Sequence, residues 1–318
     1  MVPTDGWNIV GMQTAISRDG AYFAANVGLS LPSANPRLVK YSKYAIKVWE
    51  IATLQPVALM ETTKVGFLNF TPDGKRIVCT ADDTISTLDL VSEKESFRKS
   101  TNYRPRYGES FACAFRVSPD GRKVATGLLD STTLLWELPP QVEEKAKPLT
   151  QDRLEQCWTD LAGTDARRAF LAVHKLTAAP QETLALLRER LKPAKTPDTE
   201  EMRRLLAELG DEAFLTRDAA AKRLDQLGPE ANGVLRLVKP RNAPLELERR
   251  LEKHFAGTHT IRIADDRRHV RAIRALEQIN SPEARKLLKS LADGAADAWR
   301  TRAAQTAIGA LNAEATAR

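Results

Sequence analysis

Cysteine is scarce and poorly placed for cross-linking: Cys79, Cys113 and Cys157 are odd in number, widely spaced and without a CxxC pair. The pattern argues against a disulfide framework and against a cysteine-based zinc site, so the three read as small buried apolar residues. Histidine is equally sparse. All four lie beyond residue 170, and His254, His259 and His269 lack the i, i+4 spacing that would set two imidazoles on one helical face. No apolar run approaches the ~18 residues needed to cross a bilayer. The start, MVPTDGWNIVG, has neither the basic residues nor the long apolar centre of a secretory signal. A cytoplasmic protein with no membrane contact is the expectation. Also missing are a phosphate-cradling GxxxxGK[ST], a GxGxxG after a strand and a GxSxG elbow, which argues against the common nucleotide enzymes and hydrolases. The carboxylate pairs Asp82-Asp83 and Asp265-Asp266 are adjacent in sequence, so their side chains diverge; the first reads as a turn and the second as the start of a helix. No catalytic, cofactor-binding or metal-ligating residue is assigned, no cofactor is expected, and the chain does not read as an enzyme.

What the sequence does have is repetition. SRDG (Ser17 to Gly20), TPDG (Thr71 to Gly74) and SPDG (Ser118 to Gly121) each stand between two β-prone runs. Each reads as a turn in which Asp bonds the local backbone and Gly supplies a positive φ. The turn glycines are 54 and 47 residues apart (74 − 20 and 121 − 74), near the length of a four-stranded propeller blade. Downstream, Asp82, Thr84, Ile85 and Leu88-Asp89-Leu90 align with Asp130, Thr132, Thr133 and Trp136-Glu137-Leu138, and the first copy closes in IKVWEI. Alternation at Ile46, Val48 and Glu50 predicts a strand with one buried face. The extra length of the first copy sits in LPSANPRLVKYSK, a predicted protruding loop.

These residues resemble the WD40 repeat, with Trp49-Glu50 and Trp136-Glu137 in place of the family's Trp-Asp pair and Leu88-Asp89 as a weakened version. The resemblance covers about three blades. It departs from the family in lacking the Gly-His half of the signature, in placing Leu128 where Thr80 supplies a hydroxyl, and in having Lys43 where the other copies have Asp82 and Asp130. Strand packing is therefore expected to outweigh side-chain hydrogen bonding in each blade. Three blades fall short of the ~4 to 8 that close a ring, so another chain supplies the rest or the reading frame is the rear portion of a longer one. The second reading is preferred.

The expected fold is thus β plus α in separate domains. A partial propeller over residues 1–138 leads through a Pro- and charge-rich linker at 139–149 to an α-helical, HEAT-like solenoid or bundle over 150–318. In the helical part, Thr150 is placed to cap, Leu154, Trp158 and Leu161 share a face, Pro180 suits a first helical position and Gly228 a C-cap. Arg217-Asp218, the run Ala219 to Ala221, Leu224 and Leu227 carry the likeness to a HEAT-type repeat. Together the halves resemble bacterial WD40-repeat proteins with a helical tail, which implies a protein-interaction scaffold with no chemistry of its own.

The formal charge of +7 is concentrated: residues 236–274 hold 11 Lys or Arg against 5 Asp or Glu. Arg267, Arg271 and Arg274 are predicted on one side of a helix, opposite Val270, Ile273 and Leu276, with Arg249, Arg250 and Lys253 on the preceding helix. Such a face suits an acidic protein or a phosphate backbone, although a solvated face partly neutralised by neighbouring Glu is the preferred reading. Aromatic residues for base stacking are not interleaved with it, so nucleic acid is the alternative partner. Protein partners, and self-association through open blade edges, come first.

Overall fold

The structure, a computed structural model, describes residues 6–31, 41–63, 65–81, 83–100, 112–128, 130–140, 148–257, 261 and 263–316. Residues 32–40 of the predicted loop and 141–147 of the predicted linker lie outside that set, as do Asp82 and His259. Two compact units emerge, one of Met1–Lys145 with Asp165–Arg167, the other of Ala146–Thr164 with Arg168–Arg318.

The N-terminal unit contains three antiparallel meanders. The first is β1 (Trp7–Ile16), β2 (Tyr22–Ser30), β3 (Tyr41–Glu50) and β4 (Pro56–Thr62); the second is β5 (Val65–Phe70), β6 (Arg76–Ala81), β7 (Thr84–Asp89) and β8 (Lys94–Ser100). The third has three strands among the described residues, β9 (Ala112–Val117), β10 (Lys123–Leu128) and β11 (Thr133–Glu137). Strand β5 lies against β1 on one side and β9 on the other, so the innermost strands set the sheets side by side as propeller blades are set.

The repeated tetrapeptide forms the same turn each time. Ser17, Thr71 and Ser118 each donate a hydroxyl hydrogen bond to the Asp two residues on, at 2.5 Å in all three copies. The same Asp oxygens accept from the backbone N–H of Ala21, Lys75 and Arg122 at 3.0 Å. Gly20, Gly74 and Gly121 then take φ of 66°, 67° and 68°, the left-handed region in which a side chain costs roughly 1–2 kcal/mol.

Burial departs from the simple alternation in the first two sheets. Ala45 through Glu50 of β3 are all buried, as is every residue of β6. These strands are covered on both faces, which period-2 reasoning cannot distinguish from one covered face when the second face also carries small or apolar residues. The third sheet does alternate: Val124, Thr126 and Leu128 are buried while Lys123 is exposed.

The C-terminal unit has ten helices among the described residues, α1 (Gln151–Ala162), α2 (Ala166–Ala178), α3 (Pro180–Arg190), α4 (Thr199–Leu209), α5 (Phe214–Leu227), α6 (Glu230–Val238), α7 (Leu245–Gly257), α8 (Ala264–Ile279), α9 (Pro282–Ala292) and α10 (Trp299–Thr316). Pro180 and Pro282 occupy first-turn positions, and Gly228 ends α5 at φ 60°. Thr150 stands at the N-cap of α1 without a side-chain cap bond, whereas Asp198 and Ser281 accept from the N–H three residues on.

The helices form a bundle with an insertion, not a stack in sequence order. One core joins Leu161, Leu176 and Leu187 from α1–α3 to Ile273, Leu288 and Leu311 from α8–α10. A second core, of Met202, Leu206, Leu224, Leu235 and Leu251, belongs to α4–α7. In a solenoid each helix pair packs on its sequence neighbours; here α1 packs on α8 across the intervening arm.

Candidate functional site

The register of the three sheets allows position-by-position comparison. Phe23 pairs with Trp49, Ile77 with Leu88 and Val124 with Trp136, which brings the three repeat signatures into correspondence. One residue along, the side chains point to the opposite face, where Ala24 pairs with Val48, Val78 with Thr87 and Ala125 with Leu135. In the first two sheets these residues are all 0% exposed, but Leu135 is 65% exposed. Two residues further, Asn26–Ile46 and Thr80–Ile85 are buried, whereas Gly127 is half-buried and Thr133 exposed.

The packing explains the difference. Val78 and Ile85 of the second sheet share a core with Phe115, Val124 and Trp136 of the third. The face of the third sheet turned away from that core presents Leu135 above a floor of Ala125, Gly127 and Ala114, bordered by Arg116, Lys123 and Glu137. Cys113 is the exposed cysteine there, its thiol directed to the Gly127 carbonyl at 3.3 Å, while Cys79 and Cys157 are buried. Burial pushes the Cys79 thiol up to about 12, so it is inert at neutral pH.

One side-chain hydrogen bond of the family type is present after all. The Trp136 indole N–H donates to the Thr126 hydroxyl at 2.9 Å inside the core. The hydroxyl comes from Thr126, two residues before Leu128, the position that the sequence aligns with Thr80. Thr80 instead accepts from the Phe67 N–H at 2.9 Å.

The basic face resolves into different roles. Arg271 is 1% exposed, and its guanidinium donates to the Leu161 carbonyl at 2.8 Å and the Gly163 carbonyl at 2.7 Å. Arg267 donates to the Ala162 carbonyl at 3.0 Å. Together they satisfy carbonyls at the C-terminus of α1, where unpaired acceptors and the negative end of the helix dipole favour cations. Arg274 is 8% exposed. Of the three arginines expected on a binding face, Arg271 and Arg274 are thus buried and Arg267 half-buried, with Arg267 and Arg271 directed to the end of α1. On α7, Arg250 pairs with Glu246 at 2.8 Å and donates to the Leu209 carbonyl, while Arg249 and Lys253 are exposed.

A polar cluster in the helical unit was not anticipated. Arg300 of α10 reaches Glu230 of α6 at 2.6 Å, each 19% exposed, and Arg236 reaches Asp297 at 3.2 Å. Asp266 of α8 is buried beside them; burial first, and the Glu230 charge second, push its carboxyl up to about 6. His269, one turn on, is pulled down to about 4 by burial and by the Arg300 charge, and its ring meets Trp158 edge-on at 6.5 Å. His254 is buried, 3.6 Å from Asp225, and burial lowers it too. Among the described residues no group of three or more His, Cys, Asp or Glu is arranged to hold a metal ion. Nor is any described helix long and apolar enough to cross a membrane.

No protein-family model matches the chain, and no curated protein matches it. Among solved structures the chain is similar to the Dos1 propeller, at 12% identity and a TM-score of 0.32, over 40% of this chain and 30% of that one. It is similar also to the Cps50 (Swd1) β-propeller domain of Myceliophteria thermophila, at 12% identity and a TM-score of 0.31, over 45% of this chain and 43% of that one. The chain therefore spans less than half the length of either propeller structure. Its N-terminal unit is built of antiparallel meander sheets of the propeller-blade kind, and a helical unit follows.

Proposed function

We propose that the protein is a non-enzymatic interaction scaffold whose docking surface is the exposed face of the third sheet and its β11 edge, beside which no fourth strand lies among the described residues. The observation that carries this reading is Leu135, exposed at a position whose counterparts in the first two sheets, Val48 and Thr87, are fully buried. The partner is a protein that offers a β-sheet or strand. It lays an apolar surface over Ala125, Gly127 and Leu135 and adds a strand alongside β11, where β4 and β8 stand in the other sheets. Three strands of six, six and five residues, about 4.8 Å apart, present only roughly 14 by 20 Å, so the face alone is smaller than a standard interface and the added strand is needed for stable binding. A second copy of this chain is one such partner. The nucleic-acid alternative draws no support from Arg250, Arg267, Arg271 and Arg274, whose guanidiniums are paired with Glu246, directed to backbone carbonyls or buried.

Cys113 provides the test. A photoreactive maleimide attached there should crosslink to protein, either a second copy or a partner, at micromolar concentration, and Leu135→Arg should abolish the product while leaving the circular dichroism spectrum unchanged. A labelled chain that crosslinks to nothing and sediments as a monomer would overturn the proposal. So would binding carried by DNA or RNA with a steep inverse dependence on salt.

A further inference from the structure

Helices α4–α7 are an arm inserted between α3 and α8. The arm has its own core, distinct from the one that unites α1–α3 with α8–α10. Its entry segment is held at Ala194, whose carbonyl accepts from the Ala295 N–H at 2.9 Å in the connection between α9 and α10. Where the arm meets the six-helix core, the contact is close and charged. A Cβ placed on Gly228 would stand 3.1 Å from the Ile263 Cδ1 and 3.6 Å from an Asp266 carboxylate oxygen, and one on Gly233 would stand 3.0 Å from Asp297. Two glycines thus bring the α5–α6 turn and α6 against the start of α8 and of α10. Across this junction run the ion pairs Glu230–Arg300 and Arg236–Asp297.

The charges at the junction do not balance. Asp266 is faced by Glu230 from α6, by Arg300 from α10, and by Asp265 of its own helix, and Asp265 is already paired with Arg268 at 2.6 Å. Arg300 is thus the cation that Glu230 and Asp266 share. With both carboxylates ionised, the charges of Glu230 on the arm and Asp266 on the core oppose each other. With a proton on Asp266, the Glu230–Arg300 pair closes without opposition.

We propose that the α4–α7 arm is a hinged element whose junction with the six-helix core is tightened by protonation of Asp266 and loosened when Glu230 and Asp266 are both charged. Burial and Glu230 place the Asp266 transition near neutral conditions, at about 6. His269 packs on Trp158 of α1, on the core side, and its protonation at lower pH acts in the opposite direction.

Backbone hydrogen exchange on the full chain tests this, with rates corrected for intrinsic pH dependence. In the closed arm Asp266 titrates at about 6 against an ordinary 3.8, so protection of α6 and of the first turn of α8 should rise about tenfold between pH 8 and pH 5. Amides in the arm core around Leu224 and in the other core around Leu176 should show no such change. Asp266→Asn should hold protection high at both pH values, and Glu230→Gln should flatten the dependence. Both are repeated with His269→Gln to remove the opposing titration. Protection that is independent of pH in the His269→Gln protein overturns the proposal. So does an unchanged dependence in Asp266→Asn, or loss of protection in the arm core together with the junction, which would report unfolding rather than movement at a hinge.

Discussion

Replacing Arg271 by methionine separates a structural arginine from a binding one. The guanidinium is 1% exposed and donates to the carbonyls of Leu161 and Gly163 at the end of α1. Methionine keeps most of the side-chain volume, so the packing loss stays small. What disappears is two hydrogen bonds from a charged donor, at about 1.5–3 kcal/mol each, and the acceptors at the helix end are left in a buried place. The expected destabilisation is about 3 kcal/mol or more. Alanine should add roughly 2 kcal/mol because it also opens a cavity. Urea unfolding followed by ellipticity at 222 nm reads mainly the helical unit and gives the midpoint shift. Arg249→Met, at an exposed site of the same basic segment, should stay within about 0.5 kcal/mol of the parent. If Arg271→Met and Arg249→Met unfold at the same urea concentration, the guanidinium does not cap α1, and the assignment of this side of α8 to the interior fails.

Asp266→Asn should stabilise the helical unit near neutral pH. The native carboxyl is raised from 3.8 to about 6, so its contribution to stability is complete below about 3.8 and is lost as pH rises through 6. At about 1.4 kcal/mol per pH unit the gain in the variant approaches ~3 kcal/mol at pH 7 to 8 and fades below pH 6; urea titrations at several pH values measure it, and equal midpoints at pH 8 refute it. His269 has the opposite sign, because a histidine lowered to about 4 gives stability that is present above 6.5 and lost as pH falls through 4. His269→Gln should therefore resist acid unfolding better than the parent. Thr126→Val leaves the buried Trp136 indole N–H without its acceptor and should cost about 1–3 kcal/mol, seen as an earlier thermal transition in tryptophan fluorescence. Gly74→Ala and Gly121→Ala both force a positive φ, but only the second brings a Cβ to 3.0 Å of Pro72; Gly121→Ala should lower the melting temperature more.

The sheets were legible because their turns are written in local chemistry. A hydroxyl, an Asp two residues on and a Gly after it determine the same geometry wherever they occur, and the structure repeats it three times. What a strand meets on its second face is not local. Ile46, Val48 and Glu50 alternate in the sequence, yet Ala45, Lys47 and Trp49 on the other face are buried as well. The surroundings of Arg267 and Arg271 on α8 were hidden for the same reason: a helical wheel shows which residues share a side, and only the tertiary structure places the carbonyls of α1 there. Helix pairs are equally uninformative about their distant neighbours, so an inserted arm and a solenoid read alike. The junction around Asp266 left no signal beyond the adjacent pair Asp265-Asp266, because Glu230, Asp297 and Arg300 join it from other helices.

The insertion of α4–α7 also imposes an order of events on the ribosome. Helices α1–α3 end at Arg190, and the helix they pack against begins at Ala264, 74 residues later (264 − 190). At about 5–20 residues per second, the apolar sides of α1–α3 wait roughly 4–15 s for their partners. The arm is complete before α8 emerges and can fold from contacts close in sequence. Once folded, it shortens the effective loop between α3 and α8, so the entropy of bringing the two ends together is largely spent before the final core closes.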